Sequence, residues 1–89
     1  MKTLILKIDD SNMAGFDWTW SFFINKTAKG SFTVSRTQLL DGRTVRFPGS
    51  SGLKSGNEVL GAVYYMLDEF SYRLGDYDLD KIAQKIGSV

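Results

Sequence analysis

Apolar and polar residues alternate singly along the first half of the chain and recur at helical spacing along the second. Leu4, Leu6 and Ile8 alternate with Thr3, Ile5 and Lys7, which predicts a first strand ending at the polar turn Asp9-Asp10-Ser11-Asn12. The strongest alternation follows. Phe16, Trp18, Trp20, Phe22 and Ile24 share one parity, Asp17, Thr19, Ser21 and Asn25 the other, and only Phe23 breaks the polar set. Such a period of two predicts a strand with one face on a core and the other in water, as antiparallel sheets commonly have. Lys26 to Gly30 supplies a turn, and Ser31 to Ser35 resumes the alternation as the third strand of a hairpin. Asp41-Gly42 is a tight-turn pair ahead of a fourth strand, Arg43 to Phe47. Between them, Arg36 to Leu40 reads either as a bulge or as a helical turn, because Leu39 has the wrong parity for a plain continuation. Pro48, which lacks an N–H, is expected to end the sheet and open a Gly/Ser-rich crossing to Ser55.

The period then changes. Ser55-Gly56-Asn57-Glu58 matches a capping box, and Val59, Val63, Leu67, Phe70 and Leu74 follow at spacings of three and four, with Gly75 as a left-handed stop. A shorter helix is expected from the cap Asp78, with Leu79, Ile82, Ala83 and Ile86 on one side and Gly87 at its end. The predicted fold is α+β: one domain over residues 1–89, an antiparallel sheet of three to four strands, then one long and one short helix on one sheet face (β-β-β-β-α-α).

Composition narrows the chemistry more than the fold. The 89 residues, 43% hydrophobic and 24% charged, are those of an ordinary globular domain. With no cysteine and no histidine, the chain lacks disulfides, thiolate metal ligands and the commonest general acid/base, so a protein without enzyme activity, metal or cofactor is expected. The apolar run near the N-terminus, Leu4-Ile5-Leu6, is too short for a signal peptide, which points to the cytoplasm. Net charge is +1, divided as +4 over residues 1–54 and −3 over residues 55–89. A basic half and an acidic half are expected.

Two motifs fail on spacing. Pro48 to Ser55 has Gly, Lys and Ser between a strand and a helix, but Leu53 separates Gly52 from Lys54, which a phosphate-binding loop does not allow. Asp76, Asp78 and Asp80 open like a calcium loop, yet its required Gly and Glu positions hold Lys81 and Gly87. Helix capping explains these acids. The aromatic run from Phe16 to Phe22 could stack bases on a sheet, but its shared parity assigns it to the core beneath the first helix.

Candidate binding residues come from the first helix. Tyr65, Asp68, Glu69 and Tyr72, three and four apart, form one stripe beside the apolar one, offering rings to bury and charges to steer a protein partner. Phe23 and Arg46, on the open sheet face, are the second choice. An arginine at the sheet rim, Arg36 or Arg43, is expected near Asp68 or Glu69.

In size and architecture alone, the chain resembles the small accessory proteins of phages and mobile elements, including anti-CRISPR proteins. That resemblance implies a non-enzymatic inhibitor or adaptor that occludes a protein partner such as a host defence or nucleoprotein complex, with Asp68, Glu69, Asp76, Asp78 and Asp80 covering a nucleic-acid-binding surface. No functional residue is carried over by it. The competing expectation is nucleic-acid binding through Lys26, Lys29, Arg43, Arg46 and Lys54.

Overall fold

Each strand pairs with its neighbour in sequence. The computed structural model describes residues 2–89, which form a four-stranded antiparallel sheet in the order β1-β2-β3-β4, built from β1 (Thr3–Ser11), β2 (Asp17–Lys26), β3 (Phe32–Leu40) and β4 (Arg43–Leu53). Helices α1 (Gly56–Asp68) and α2 (Leu79–Gly87) follow, joined by a short 3₁₀ turn over Leu74–Asp76. Helix α1 lies over β3 and β4, and α2 over β1, both on the same side of the sheet. The α+β order predicted from the sequence is the one observed. Among the described residues, no helix is long and apolar enough to cross a membrane.

Core parity holds in β2, where Trp20, Phe22 and Ile24 are buried against Val59, Val63 and Leu67 of α1 and Ile82 and Ile86 of α2. Burial of each such side chain contributes about 1.5–3 kcal/mol. In β1 the expected parity fails at its start. Leu4 pairs with Phe23 and Leu6 with Phe22, so Ile5 is an extra residue in a bulge; it turns inward and Leu4 turns out. Asp9 and Asp10, expected in a turn, belong to the end of β1.

Pro48 does not end the sheet. It sits within β4, an outer strand paired only to β3, where a missing N–H removes no ladder bond. Register slips on both sides of Val34, each time by one extra residue in β4. Gly49 occupies the first slip, and a Cβ there would overlap the carbonyl oxygen of Val34; Gly52 occupies the second with φ +70. Arg36 to Leu40 is neither a helical turn nor a bulge in β3 itself, but plain strand to its end.

Helix α1 begins at the expected cap, where Glu58 N–H donates to Ser55 Oγ (3.2 Å) and the Glu58 carboxylate accepts from Lys54 N–H (2.6 Å). Its end comes earlier than Gly75. Tyr72 N–H donates to Leu67 O (3.0 Å) and Ser71 N–H to Asp68 O (3.1 Å), with Ser71 at φ +64. This is a Schellman ending with serine where glycine is usual. Helix α2 is capped by Asp78, which accepts from Lys81 N–H (3.1 Å), as its sequence predicts.

One buried charge ties helix to sheet. Arg36 is 4% exposed, donates to Pro48 O (2.9 Å) and Met66 O (3.3 Å), and pairs with Glu69 at 2.9 Å. Its guanidinium also lies 5.9 and 5.5 Å from the ring centres of Phe47 and Phe70. The expected contact between a sheet arginine and the acidic end of α1 is therefore present through Arg36.

Candidate functional site

The sheet outruns its helical cover at the end formed by the β1–β2 loop and the β3–β4 turn. In that loop, Asn12 Oδ1 accepts from Ala14 N–H (3.0 Å) and Phe16 N–H (3.1 Å), while Asn12 N–H donates to Phe16 O (3.0 Å). Gly15 completes the loop at φ +86. Phe16, expected to start the second strand within the core, is instead held in this loop at 58% exposure, next to a fully exposed Met13. The asparagine fixes its backbone on both sides. Across the sheet end, Asp41 (φ 51) and Gly42 (φ 74) form the left-handed pair of a type I′ turn.

Between these two turns lies an uncovered strip of the helix-side sheet face. Trp18 pairs with Leu40, and Leu40 with Arg43; Gln38 pairs with Val45 in the next row. Leu40, Val45 and Phe70 are exposed, and Trp18 is half-buried. Phe70 marks where the cover stops, its ring 4.5 Å from Trp20 and 5.9 Å from Phe47. Three shallow clefts all touch Trp18. One of about 360 Å³ is lined by Asn12, Phe16, Trp18, Gln38 and Leu40 on the helix side; one of about 340 Å³, with Phe16, Leu39, Asp17 and Asp41, and one of about 260 Å³, with Asp9, Asp10 and Asp17, take in residues of the opposite parity on the open face, Leu39, Asp9 and Asp17 among them.

Trp18 is fixed by a hydrogen-bonded chain. Its Nε1–H donates to Tyr72 Oη (3.0 Å), whose hydroxyl donates to Asp10 Oδ2 (2.7 Å). That hydroxyl, together with Ser11 N–H, holds the Asp10 carboxyl below the usual carboxylate range. Burial, and then the bond to Asp10, raises the Tyr72 hydroxyl above its ordinary value. Burial likewise raises Tyr77, with Asp76 and Asp10 adding to it.

The residues singled out from sequence do not form one stripe. Tyr65 is 72% exposed, packed edge-on to Tyr64, and Asp68 is the last residue of α1. Glu69 is engaged by Arg36. Tyr72 lies beyond the left-handed Ser71 and turns to Trp18 and Asp10, so the helical spacing that would align it with Tyr65 is broken. On the open sheet face, half-buried Phe23 sits between Leu4 and Ser35, whereas exposed Arg46 sits beside Thr37, with β3 between the two. The basic set is divided too: Lys26, Lys29 and Lys54 are at the end opposite Arg43. Among the described residues, no group of three or more acidic side chains is arranged to hold a metal ion.

Met13, Phe16, Leu40 and Val45 were not foreseen as surface residues. The turn chemistry of Asn12 and Gly15 is the signal that separates Phe16 from the strand after it. No family model matches the chain, and neither a curated protein nor a solved structure gives a significant match.

Proposed function

We propose that this domain works by binding a protein partner, as an inhibitor or adaptor without chemistry of its own, and that the strip around Phe16 and Trp18 is its docking surface. The observation that carries this reading is an exposed aromatic residue whose backbone is held by a hydrogen-bonded loop, beside further uncovered apolar side chains. A backbone fixed before contact loses less entropy on binding than a mobile loop, and buried aromatic anchors dominate interface energetics. Contiguous exposed apolar surface on a small domain marks interaction sites. A cytoplasmic host defence or nucleoprotein complex, occluded in the anti-CRISPR manner, is the setting implied by the resemblance in size and architecture. Tyr65 with Asp68 on α1, and Phe23 or Arg46 on the open face, are the competing surfaces.

Photo-reactive residues placed singly at Phe16, Tyr65 and Phe23 decide between them. Crosslinks to one partner from position 16, absent from 65 and 23, are expected; crosslinks from Tyr65 or Phe23 alone would move the working surface to α1 or to the open face. Nucleic-acid binding is the second reading, favoured by Lys2, Lys26, Lys29 and Lys54 gathering at the far end of the sheet. Fluorescence polarisation of a labelled single strand tests it, and no binding at low salt removes it.

A further inference from the structure

Charge is divided along the strands, not between sheet and helices. Asp9 and Asp10 lie near the end of β1, β2 begins at Asp17, and Asp41 stands in the β3–β4 turn, so four carboxylates share the end that bears Phe16, Asp10 on the helix side and Asp9 and Asp17 on the open face. Helix α1 starts where β4 finishes and runs back, which brings Asp68 to the same end; Ile86 beside Gly56 sets α2 antiparallel to α1, so its capping Asp78 is there as well. Arg43, Arg73 and Lys81 are the cations left there, because Arg36 is taken by Glu69. Lys2, Lys26, Lys29 and Lys54 lie at the other end.

We propose that the docking strip receives a cationic protein segment, one in which Arg or Lys side chains flank apolar anchors. This rests on the protein-docking reading and adds the chemistry of the partner. The clefts supply both parts of the fit. In the first, Phe16 and the exposed Leu39, which shares the open face with Asp17 and Thr19, give an apolar lining at the sheet end, and Asp17 and Asp41 stand at its edge. A long cationic side chain matches that arrangement, with its methylenes on Phe16 and Leu39 and its charge at the carboxylates. In the cleft beside it, Asp9 and Asp17 lie with Thr19 on the open face, and Asp10 lies on the helix side with the Trp18 ring. The Asp10 carboxyl, held ionised by Tyr72 and Ser11, keeps its charge under mildly acidic conditions. Opposite charge on the partner speeds encounter, while anionic surfaces, nucleic acid among them, are repelled from this end.

The test uses Trp20→Phe, which leaves Trp18 as the sole tryptophan. Three short synthetic peptides are titrated against its fluorescence: alternating Arg and Leu, the same with Glu for Arg, and the same with Ser for Arg. Amide NMR shifts of the unmutated protein give a second readout that does not depend on the variant folding. The Arg–Leu peptide is expected to shift Trp18 emission and the amides of Asn12–Thr19 and Leu39–Gly42, with affinity falling about tenfold between about 50 and about 300 mM salt. The Glu–Leu peptide is expected to leave both unchanged, and D17N/D41N to weaken the Arg–Leu peptide by about tenfold. Equal binding of all three peptides at this strip would overturn the cationic partner and keep the strip as a docking surface. Perturbation confined to other surfaces, or no binding by any peptide at low salt, would overturn both.

Discussion

Two neighbouring stretches of the same sheet face, one under α1 and one beyond it, carry the same kind of residue and meet different fates. In β2, Phe22 and Trp20 are both 2% exposed; two residues on, Trp18 is half-buried, and two before that, Phe16 stands in water. The residue types hardly change along this row. What changes is the cover: α1 gives way at Ser71 to a Schellman ending, and Phe70 is the last ring over the sheet. Alternation therefore sets which face of a strand is apolar, while the length of the helix laid across it sets how much of that face is left for a partner.

The comparison breaks most visibly in stability. Trp20→Ala should lose about 3–5 kcal/mol by chemical denaturation, as a core aromatic truncation, whereas Phe16→Ala should stay within about 0.5 kcal/mol of the parent. Similar losses at both positions would mean that the loop is part of the core. Glu69→Ala comes next, at about 1–2 kcal/mol, because it leaves the buried Arg36 guanidinium with carbonyl partners alone; the carboxylate's own exposure keeps the loss below that of a fully buried pair.

Tyr72→Phe should lose about 1 kcal/mol by removing the bridge from Trp18 to Asp10. It should also flatten the pH dependence. The depressed Asp10 carboxyl stabilises the fold above the ordinary carboxylate range, and that contribution is lost as pH falls through its lowered folded value. The raised Tyr72 hydroxyl acts at the other extreme, stabilising below its ordinary value and losing this as pH rises through the folded one. An unchanged acid limb in Tyr72→Phe would remove the link to Asp10. The smallest change sharpens the boundary itself: Ser71→Gly should raise stability by about 0.5–1 kcal/mol, since glycine adopts the left-handed conformation without Cβ strain.

Most of the architecture was legible because it is written locally. Alternation, the Asp41-Gly42 turn, the capping box at Ser55 and the cap at Asp78 each depend on a few adjacent residues, and each stands where its pattern puts it. What was misread depends on partners. The inward turn of Ile5 follows from a one-residue slip against β2, and the passage of β4 through Pro48 follows from its place at the sheet edge. The exposed strip was illegible for the same reason. Phe16 and Trp18 share the parity of Trp20, and nothing in their own stretch records that the left-handed Ser71, far along the chain, ends the helix before it can cover them. The same left-handed residue takes Tyr72 off the stripe that its helical spacing predicts.

The strand order has a consequence for how the chain acquires its shape. Every strand pairs with the one just before or after it, so the sheet closes through short local loops, a topology of low contact order that favours rapid folding. Both helices come last in sequence, and during synthesis the aromatic row from Trp18 to Ile24 is made well before residues 56–86 exist to shield it. The nascent sheet thus passes through an interval with a sticky face, in which chaperone capture and self-association compete with completion of the fold.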